Sequence, residues 1–524
     1  MPPAMASSGA TITPSRSTRA LLVAVALLAV GLRLRHAAGS LAFDEMASIY
    51  FSGQPWRHLW GWWMVRETNP PLFYSLLKLW RMVVPMGHWP MRVLPLLIAF
   101  AHLALFGWFV RARLGWHAAL LGLLLLAISS SDIYQADYLR GYGLAKLAVL
   151  ASFIGLIDAL EHRHPRRGWL VYGGGAVVAI HCHTTMVLWP VIATLAVLAD
   201  AGVRRDWRWW PVATLMAANL AIAVLSGWVL VMAFTQLRGM AAANITWLEP
   251  LGWADFAISF NLQLLTGGTV TAALMAVLMV IGAWRGRHDR VVRLSIAAAI
   301  ATLVLFKATD MIHPIVSDFT LHWAYSFTAL VAATALSGAA PATLRQQVAT
   351  VCTLIAVTVA GLTDLLLIEP AWQPQDWRRT VQTVAAAPGT ALLASHEAIG
   401  VVIEQTCLVE FGHLPCPFPL VVMADPSPTD NWSAGGYSGP LVAPANLRAA
   451  LGPVHQAYAF SRYVYTPLEH IGLHAHDWPE VYWDDGELIG PIPVHVFDPP
   501  PPGAPPRVPD RQAHYTGAPD PIDN

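Results

Sequence analysis

An acidic pair, Asp44 and Glu45, stands just beyond the first apolar run of this chain. The same polar stretch continues through Arg66 and Glu67 to Asn69-Pro70-Pro71-Leu72-Phe73-Tyr74. A carboxylate at a bilayer surface can reach a lipid-borne substrate and a water-borne one at once. Placed there, it suits proton removal from an attacking hydroxyl. An arginine or lysine beside it suits stabilisation of a departing anion. The double proline suits a helix start, because the missing N–H of a first-turn proline would be unpaired in any case.

Three further groups of such residues follow. Asp132, Asp137, Arg140 and Tyr142 share one short polar segment. Asp137 and Arg140 are spaced to share a helical face. They either pair with each other or serve a site in which Arg140 grips a phosphate through two parallel hydrogen bonds. His181 and His183 flank Cys182; on a helix such side chains diverge, which suits a polar lining, or plain interfacial placement, better than a metal. Lys307, Asp310 and His313 form the last group, with His322 close behind. Lys307 either contacts a phosphate or reaches from the end of an apolar run to the surface.

The elements that must position these residues are membrane helices. Of the 524 residues, 56% are hydrophobic and 12% charged, against about 25% charged in a soluble domain. Apolar runs recur from Ala20 to Leu367, many near the roughly 20 residues that cross about 30 Å of hydrocarbon. We count eleven, centred near residues 27, 101, 123, 150, 175, 194, 222, 277, 301, 331 and 357. The first is read as a retained helix, since no small-residue cleavage site follows it.

Arginines occupy every second connection: Arg16 and Arg19, Arg111 and Arg113, Arg163 to Arg167, Arg204 to Arg208, Arg285 to Arg293, and Arg345. By the positive-inside rule these face the cytoplasm. The N-terminus (1–19) is then inside, and the loops at 36–92, 130–141, 181–186, 235–269 and 308–322 face outward. All four reactive groups fall on that outer side. Leu72, Phe73, Leu76, Leu77 and Trp80 share one helical face, the pattern of a helix lying in the interface plane. Tryptophans such as Trp56, Trp60, Trp62 and Trp63 form an interfacial belt. The zero net charge offers no field for nucleic acid.

The multi-spanning part covers 20–368. After Glu369, Thr390–Ser395, Pro419–Ala424 and Pro493–Phe497 read as short strands, with helices at Ile399–Gln405 and Ala445–Leu451 between them. Strands alternating with helices predict a small extracytoplasmic α/β domain over 369–498. The proline-rich residues 499–524 read as a disordered tail. Cys407 and Cys416 are expected to form a disulfide if that region faces an oxidising space. That points to a plasma membrane, most simply a bacterial inner membrane, with the chain crossing it many times.

This arrangement resembles the GT-C superfamily of membrane glycosyltransferases, in the branch with the aminoarabinose transferases of lipid A, the protein O-mannosyltransferases and the RgtA-like enzymes. Phe43-Asp44-Glu45 resembles that branch's acidic pair in the first external loop. Asn69-Pro70-Pro71-Leu72-Phe73-Tyr74 resembles its His-Pro-Pro-Leu-Tyr-Tyr helix start, and Tyr134–Leu144 its Gln-Glu-X-Arg-X-Tyr-X-Leu segment. Asp376-Trp377-Arg378 resembles a stretch that opens the external C-terminal domain. Two departures stand out. The acid precedes the arginine of the second segment by three positions here rather than two. Ser317–Trp323 stands where the family has Arg-Tyr before a late span, leaving Lys307 as the substitute phosphate contact.

The resemblance implies a sugar donor linked through phosphate to a polyprenyl lipid and an inverting attack by an acceptor hydroxyl on the extracytoplasmic face. Asp44 would be the general base, with Asp137 the other catalytic candidate. Glu45, Arg66, Asn69, Arg140, Tyr142, His183 and Lys307 would bind substrate, and Trp-rich helices would hold the lipid tail. The acceptor could be an envelope lipid, glycan or protein, and the C-terminal domain would cover the site or guide that acceptor. The scheme requires no cofactor and no divalent metal. The rival reading is a polytopic transporter or flippase of a lipid-linked or small polar substrate, whose site would sit near the membrane midplane on broken helices.

Overall fold

The computed structural model describes residues 15–451, apart from 36, 207–208, 237–249, 267, 318, 338–343, 369–375, 387, 425–430 and 444–445, and short strands between 456 and 498. The tail 499–524 and the first fourteen residues lie outside the described residues.

The chain is a polytopic α-helical membrane protein. Each of the eleven apolar centres falls within a helix. Among the described residues, however, six helices are long and apolar enough to cross a bilayer, or eight if two bent pairs each count as one span. Three of the eleven fall short of that measure by length or composition, and the causes are local. Pro165–Cys182 carries Arg166, Arg167 and a Gly173-Gly174-Gly175 run that lower its hydropathy. Thr269–Arg285 has only 17 residues. Tyr325–Ala333 is short and wholly buried, passing into a 3₁₀ turn at Thr334–Leu336.

Arg16–Leu34 starts where the Ser15 hydroxyl accepts the Thr18 N–H at 3.1 Å, satisfying one of the orphan donors of a helix start. Its outer flank exposes Val23 and Leu27, as a lipid-facing helix should. His88–Leu114 and Trp116–Ile128 form a hairpin about Gly115, whose φ of +90° suits glycine. Tyr142–Leu160 and Pro165–Cys182 pack backbone to backbone. A Cβ on Gly155 would lie 2.7 Å from the Gly168 carbonyl oxygen, so only glycine permits that approach.

Two breaks matter for the site. Trp116–Ile128 and Ser130–Asp137 meet at 68°, because extended Ser129 ends one helix and its hydroxyl accepts the Asp132 N–H to begin the next. The second helix then delivers Tyr138 and Arg140. Phe43–Gly53 begins with Ala42 donating its N–H to the Glu45 carboxylate at 2.8 Å, which puts Asp44 in the first turn.

The arginine-rich connections gather at the far end of the helices. There Arg113 and Arg163 pair with Glu161, and Arg204, Arg290 and Arg293 converge on Asp200. Tyr142–Leu160 runs from the Arg140 end to this one.

In the C-terminal region, Thr390–Ala394 pairs in parallel with Leu420–Met423 and with Gln456–Phe460, and His495–Asp498 runs antiparallel to the last. Trp377–Ala386 and Glu397–Phe411 accompany the sheet. Cys407 and Cys416 are disulfide-bonded. This region grips the start of the first long loop. Arg378 donates its backbone N–H to the Ser40 hydroxyl at 3.1 Å and its guanidinium to the Ala38 carbonyl at 3.2 Å, and it pairs with Glu410, which also reaches His88 at 3.4 Å. Trp377 and Trp432 pack against the Phe43 ring at 6.3 and 5.9 Å.

Candidate active site

Asp44 and Arg140 meet across the structure: Arg140 Nη2 lies 3.0 Å from Asp44 Oδ1. The other carboxylate oxygen accepts the Tyr138 hydroxyl at 3.0 Å. The Asp44 side chain is 39% exposed, whereas that of Arg140 is 8% exposed. A carboxylate oxygen has two lone pairs, so Asp44 keeps acceptor capacity on its open side.

Glu67 organises the rest. Its Oε1 accepts the Asn69 backbone and side-chain N–H groups at 3.1 and 2.8 Å, and the Tyr74 hydroxyl at 3.1 Å. Arg140 Nη1 approaches the same oxygen at 3.4 Å and donates to the Tyr74 hydroxyl at 2.6 Å. Gln236 donates to the Glu67 carbonyl, and the Thr184 hydroxyl donates to the Thr68 carbonyl at 2.6 Å. The polar loop before Pro70 is thus held to two other segments.

Burial alone would lower the Arg140 pKa, but Asp44, Tyr74 and Glu67 outweigh it and hold the guanidinium well above the ordinary arginine value. Burial, joined by the charge of Asp44, pushes Tyr138 well above an ordinary phenol. Tyr138 therefore stays protonated as a donor to Asp44. Arg140 Nε is a buried N–H with no acceptor among the described residues.

A stack of rings adjoins this centre. Phe319 lies 5.3 Å from both Tyr138 and Tyr142, and Tyr142 lies 5.0 Å from His183. The His183 Nδ1 accepts the Thr185 N–H at 3.3 Å. Burial, with the charge of Arg140 nearby, lowers the His183 pKa to about 4, so the ring is neutral at pH 7.

The structure therefore brings Asp44, Asn69, Arg140, Tyr142 and His183 into one neighbourhood, and it leaves four expected site residues elsewhere. Glu45 is buried and fully engaged: Arg92 binds it through Nη2 at 2.7 Å and Nε at 3.2 Å, and the Leu139 N–H donates at 3.0 Å. Asp137 is buried, with Arg92 and Glu45 as electrostatic neighbours. Arg66 donates to the Ala434 carbonyl at 2.7 Å and lies over Trp63, facing the C-terminal region. Lys307 donates to the Leu251 carbonyl, lies 3.7 Å from Asp310 and sits over the Trp253 and Phe256 rings.

Sequence reasoning missed two things. The hub role of Glu67 has no local signature. A buried cluster also went unread: Asp132 pairs with Arg33, Lys146 and His322. The available signal was Lys146 alone inside an apolar helix and Arg33 at the end of another, since ionisable residues at membrane depth need partners. Among the described residues no three His, Cys, Asp or Glu side chains stand together as a metal site.

The fold is shared with solved structures of very different sequence. ArnT from Cupriavidus metallidurans in the apo state superposes with a TM-score of 0.60 at 11% identity, over 92% of this chain and 98% of that one. The same protein bound to undecaprenyl phosphate gives 0.57 at 12% identity, over 92% and 97%. No family profile and no curated protein sequence matches this chain. At this identity the likeness is one of fold.

Proposed function

We propose that the protein is an integral-membrane glycosyltransferase that moves a sugar from a polyprenyl-phosphate carrier to an acceptor hydroxyl on the extracytoplasmic face. The observation that carries this reading is the half-open Asp44 carboxylate 3.0 Å from the buried Arg140 guanidinium. Asp44 takes the proton of the acceptor hydroxyl as its oxygen attacks the anomeric carbon. The bond from that carbon to the phosphate oxygen breaks, and polyprenyl phosphate leaves with inverted configuration in the product. Arg140, through its unpartnered Nε, meets the charge growing on the phosphate. Tyr138 orients the base and Glu67 orients the arginine.

The fold supports this reading, as does the bound undecaprenyl phosphate of ArnT. The gathering of these groups at the ends of helices, opposite the arginine-rich connections, favours surface chemistry over transport through a midplane site. That arrangement also supports an N-terminus in the cytoplasm and a plasma membrane, most simply a bacterial inner membrane.

The test is transfer of labelled sugar from a panel of polyprenyl-phosphate sugars, comparing wild type with Asp44→Asn at equal membrane abundance. Transfer should fall by about 10²–10⁴-fold in the variant, the usual contribution of a positioned base. A variant as active as wild type would remove Asp44 from the mechanism and turn attention to Asp137.

A further inference from the structure

Arg92 stands near the start of His88–Leu114 and takes no part in the chemistry above. It is buried, and its guanidinium serves two sets of oxygens. Nη2 and Nε hold the two carboxylate oxygens of Glu45 at 2.7 and 3.2 Å. Nη1 and Nη2 also donate to the Gly39 and Ser40 carbonyls at 2.9 and 2.7 Å. The Glu45 carboxylate, 1% exposed, turns its other lone pairs to the backbone. Oε2 accepts the Ala42 N–H at 2.8 Å, and Oε1 accepts the Leu139 N–H at 3.0 Å.

Leu139 is the residue between Tyr138 and Arg140, and Glu45 is the residue after Asp44. The segments 44–45 and 138–140 therefore meet three times. Arg140 meets Asp44 Oδ1, Tyr138 meets Asp44 Oδ2, and the Leu139 N–H meets Glu45 Oε1. The first two contacts are made by long side chains at a carboxylate that is 39% exposed. The third joins backbone to a buried carboxylate already paired with a guanidinium, and a hydrogen bond to such a charge is about twice as strong as a neutral one. It is the contact that fixes one segment against the other. A buried ion pair serving helix packing alone is the bland explanation. It does not account for the two N–H groups that Glu45 accepts, one two residues before Asp44 and the other one residue before Arg140.

Resting on the glycosyl-transfer reading above, we infer that Glu45 and Arg92 are positioning residues: the carboxylate that Arg92 holds sets the distance between Asp44 and Arg140. That distance is also the distance of the base from the departing phosphate. Glu45 thus acts through Leu139 and not on the sugar, in place of the substrate contact expected of it.

The test uses two variants that keep every charge, so that neither leaves a buried ion alone. Glu45→Asp shortens the carboxylate by one methylene, too short to hold Ala42 and Leu139 together. Arg92→Lys keeps the cation and loses the fork that spans Glu45, Gly39 and Ser40. Transfer of labelled sugar from polyprenyl-phosphate carriers is measured at equal amounts of folded full-length protein. Glu45→Asp should lower kcat by about 10²-fold, the usual effect of misplacing a reacting group by roughly 1 Å. Arg92→Lys, which leaves the Leu139 N–H its acceptor, should lower it less. KM for the carrier should stay within about threefold, because Arg140 keeps Glu67 and Tyr74.

Glu45→Asp is then combined with Asp44→Asn. A residue that acts through the Asp44–Arg140 geometry should add less than about threefold to the loss caused by Asp44→Asn alone. A further loss of about 10²-fold would show that Glu45 acts independently of Asp44 and overturn the inference. Wild-type kcat in both single variants would overturn it too. A loss confined to KM would return Glu45 to substrate binding, with the same consequence. Failure of both single variants to fold would assign the pair to the scaffold and overturn the inference as well. A wild-type protein that transfers from no carrier overturns the glycosyl-transfer reading itself, which is seen before any variant is made.

Discussion

Two aspartates in this protein each face an arginine, and their fates differ. Asp44 has Arg140 and Tyr138 on one side and is 39% exposed. Asp132 is 9% exposed and is surrounded by Arg33, Lys146 and His322, drawn from three separate segments. The residue types are nearly the same. What separates the two carboxylates is how far the fold has closed over each. Asp132 is buried among its three partners and ties Arg16–Leu34 and Tyr142–Leu160 to the bend after Ser129. Asp44 is held in place and left open.

The sharpest way to break this contrast is to neutralise the inner carboxylate. Asp132→Asn leaves Arg33 and Lys146 buried without their counter-ion, which should destabilise the protein by about 3–5 kcal/mol. Thermal unfolding in detergent and the yield of folded protein would register that loss. Lys146→Met, which leaves a balanced Arg33–Asp132 pair, should cost less. If Asp132→Asn unfolded like wild type while Asp44→Asn did not, the two roles would be reversed.

A smaller effect is expected at Glu67. Glu67→Gln keeps an acceptor oxygen for Asn69 and Tyr74 but removes the charge that holds Arg140. Transfer should drop by about tenfold, the difference between a charged and a neutral hydrogen bond, with the melting temperature little changed. A fully active Glu67→Gln enzyme would show that Arg140 is positioned by Asp44 alone.

The smallest effect is expected at Arg66, whose contacts include the Ala434 carbonyl and the Trp63 ring. Arg66→Ala should cost on the order of 1 kcal/mol and raise hydrogen exchange in the 431–438 segment. Its transfer should exceed that of Arg140→Ala. Equal loss in the two variants would return Arg66 to the phosphate-binding role that the family resemblance implies.

Much of the fold was legible because hydropathy is a local property. Eleven apolar runs became eleven helical segments, and the strands at 390–394 and 420–423 appeared where short apolar runs sit between turn residues. The bend at Ser129 was not legible, since it depends on one extended residue whose hydroxyl caps the next helix. Of the site, Asp44 and Arg140 stood out because charged residues beside apolar runs are conspicuous. Glu45 looked equivalent to its neighbour. Arg92, whose partner it is, lies in another helix, and no local pattern distinguishes a buried carboxylate from a half-exposed one.

The amino-acid sequence by itself determined that this is a helical membrane protein with acidic and basic groups at one set of helix ends, because transfer of apolar side chains from water depends on composition within a single run. The tertiary structure alone decided which of those groups face one another. Tyr138 reaches Asp44 across 94 positions and Arg33 reaches Asp132 across 99. Charges interact over a few ångströms of space whatever their separation along the chain, so only the packed helices could leave one aspartate half-exposed beside its arginine and bury the other among three partners.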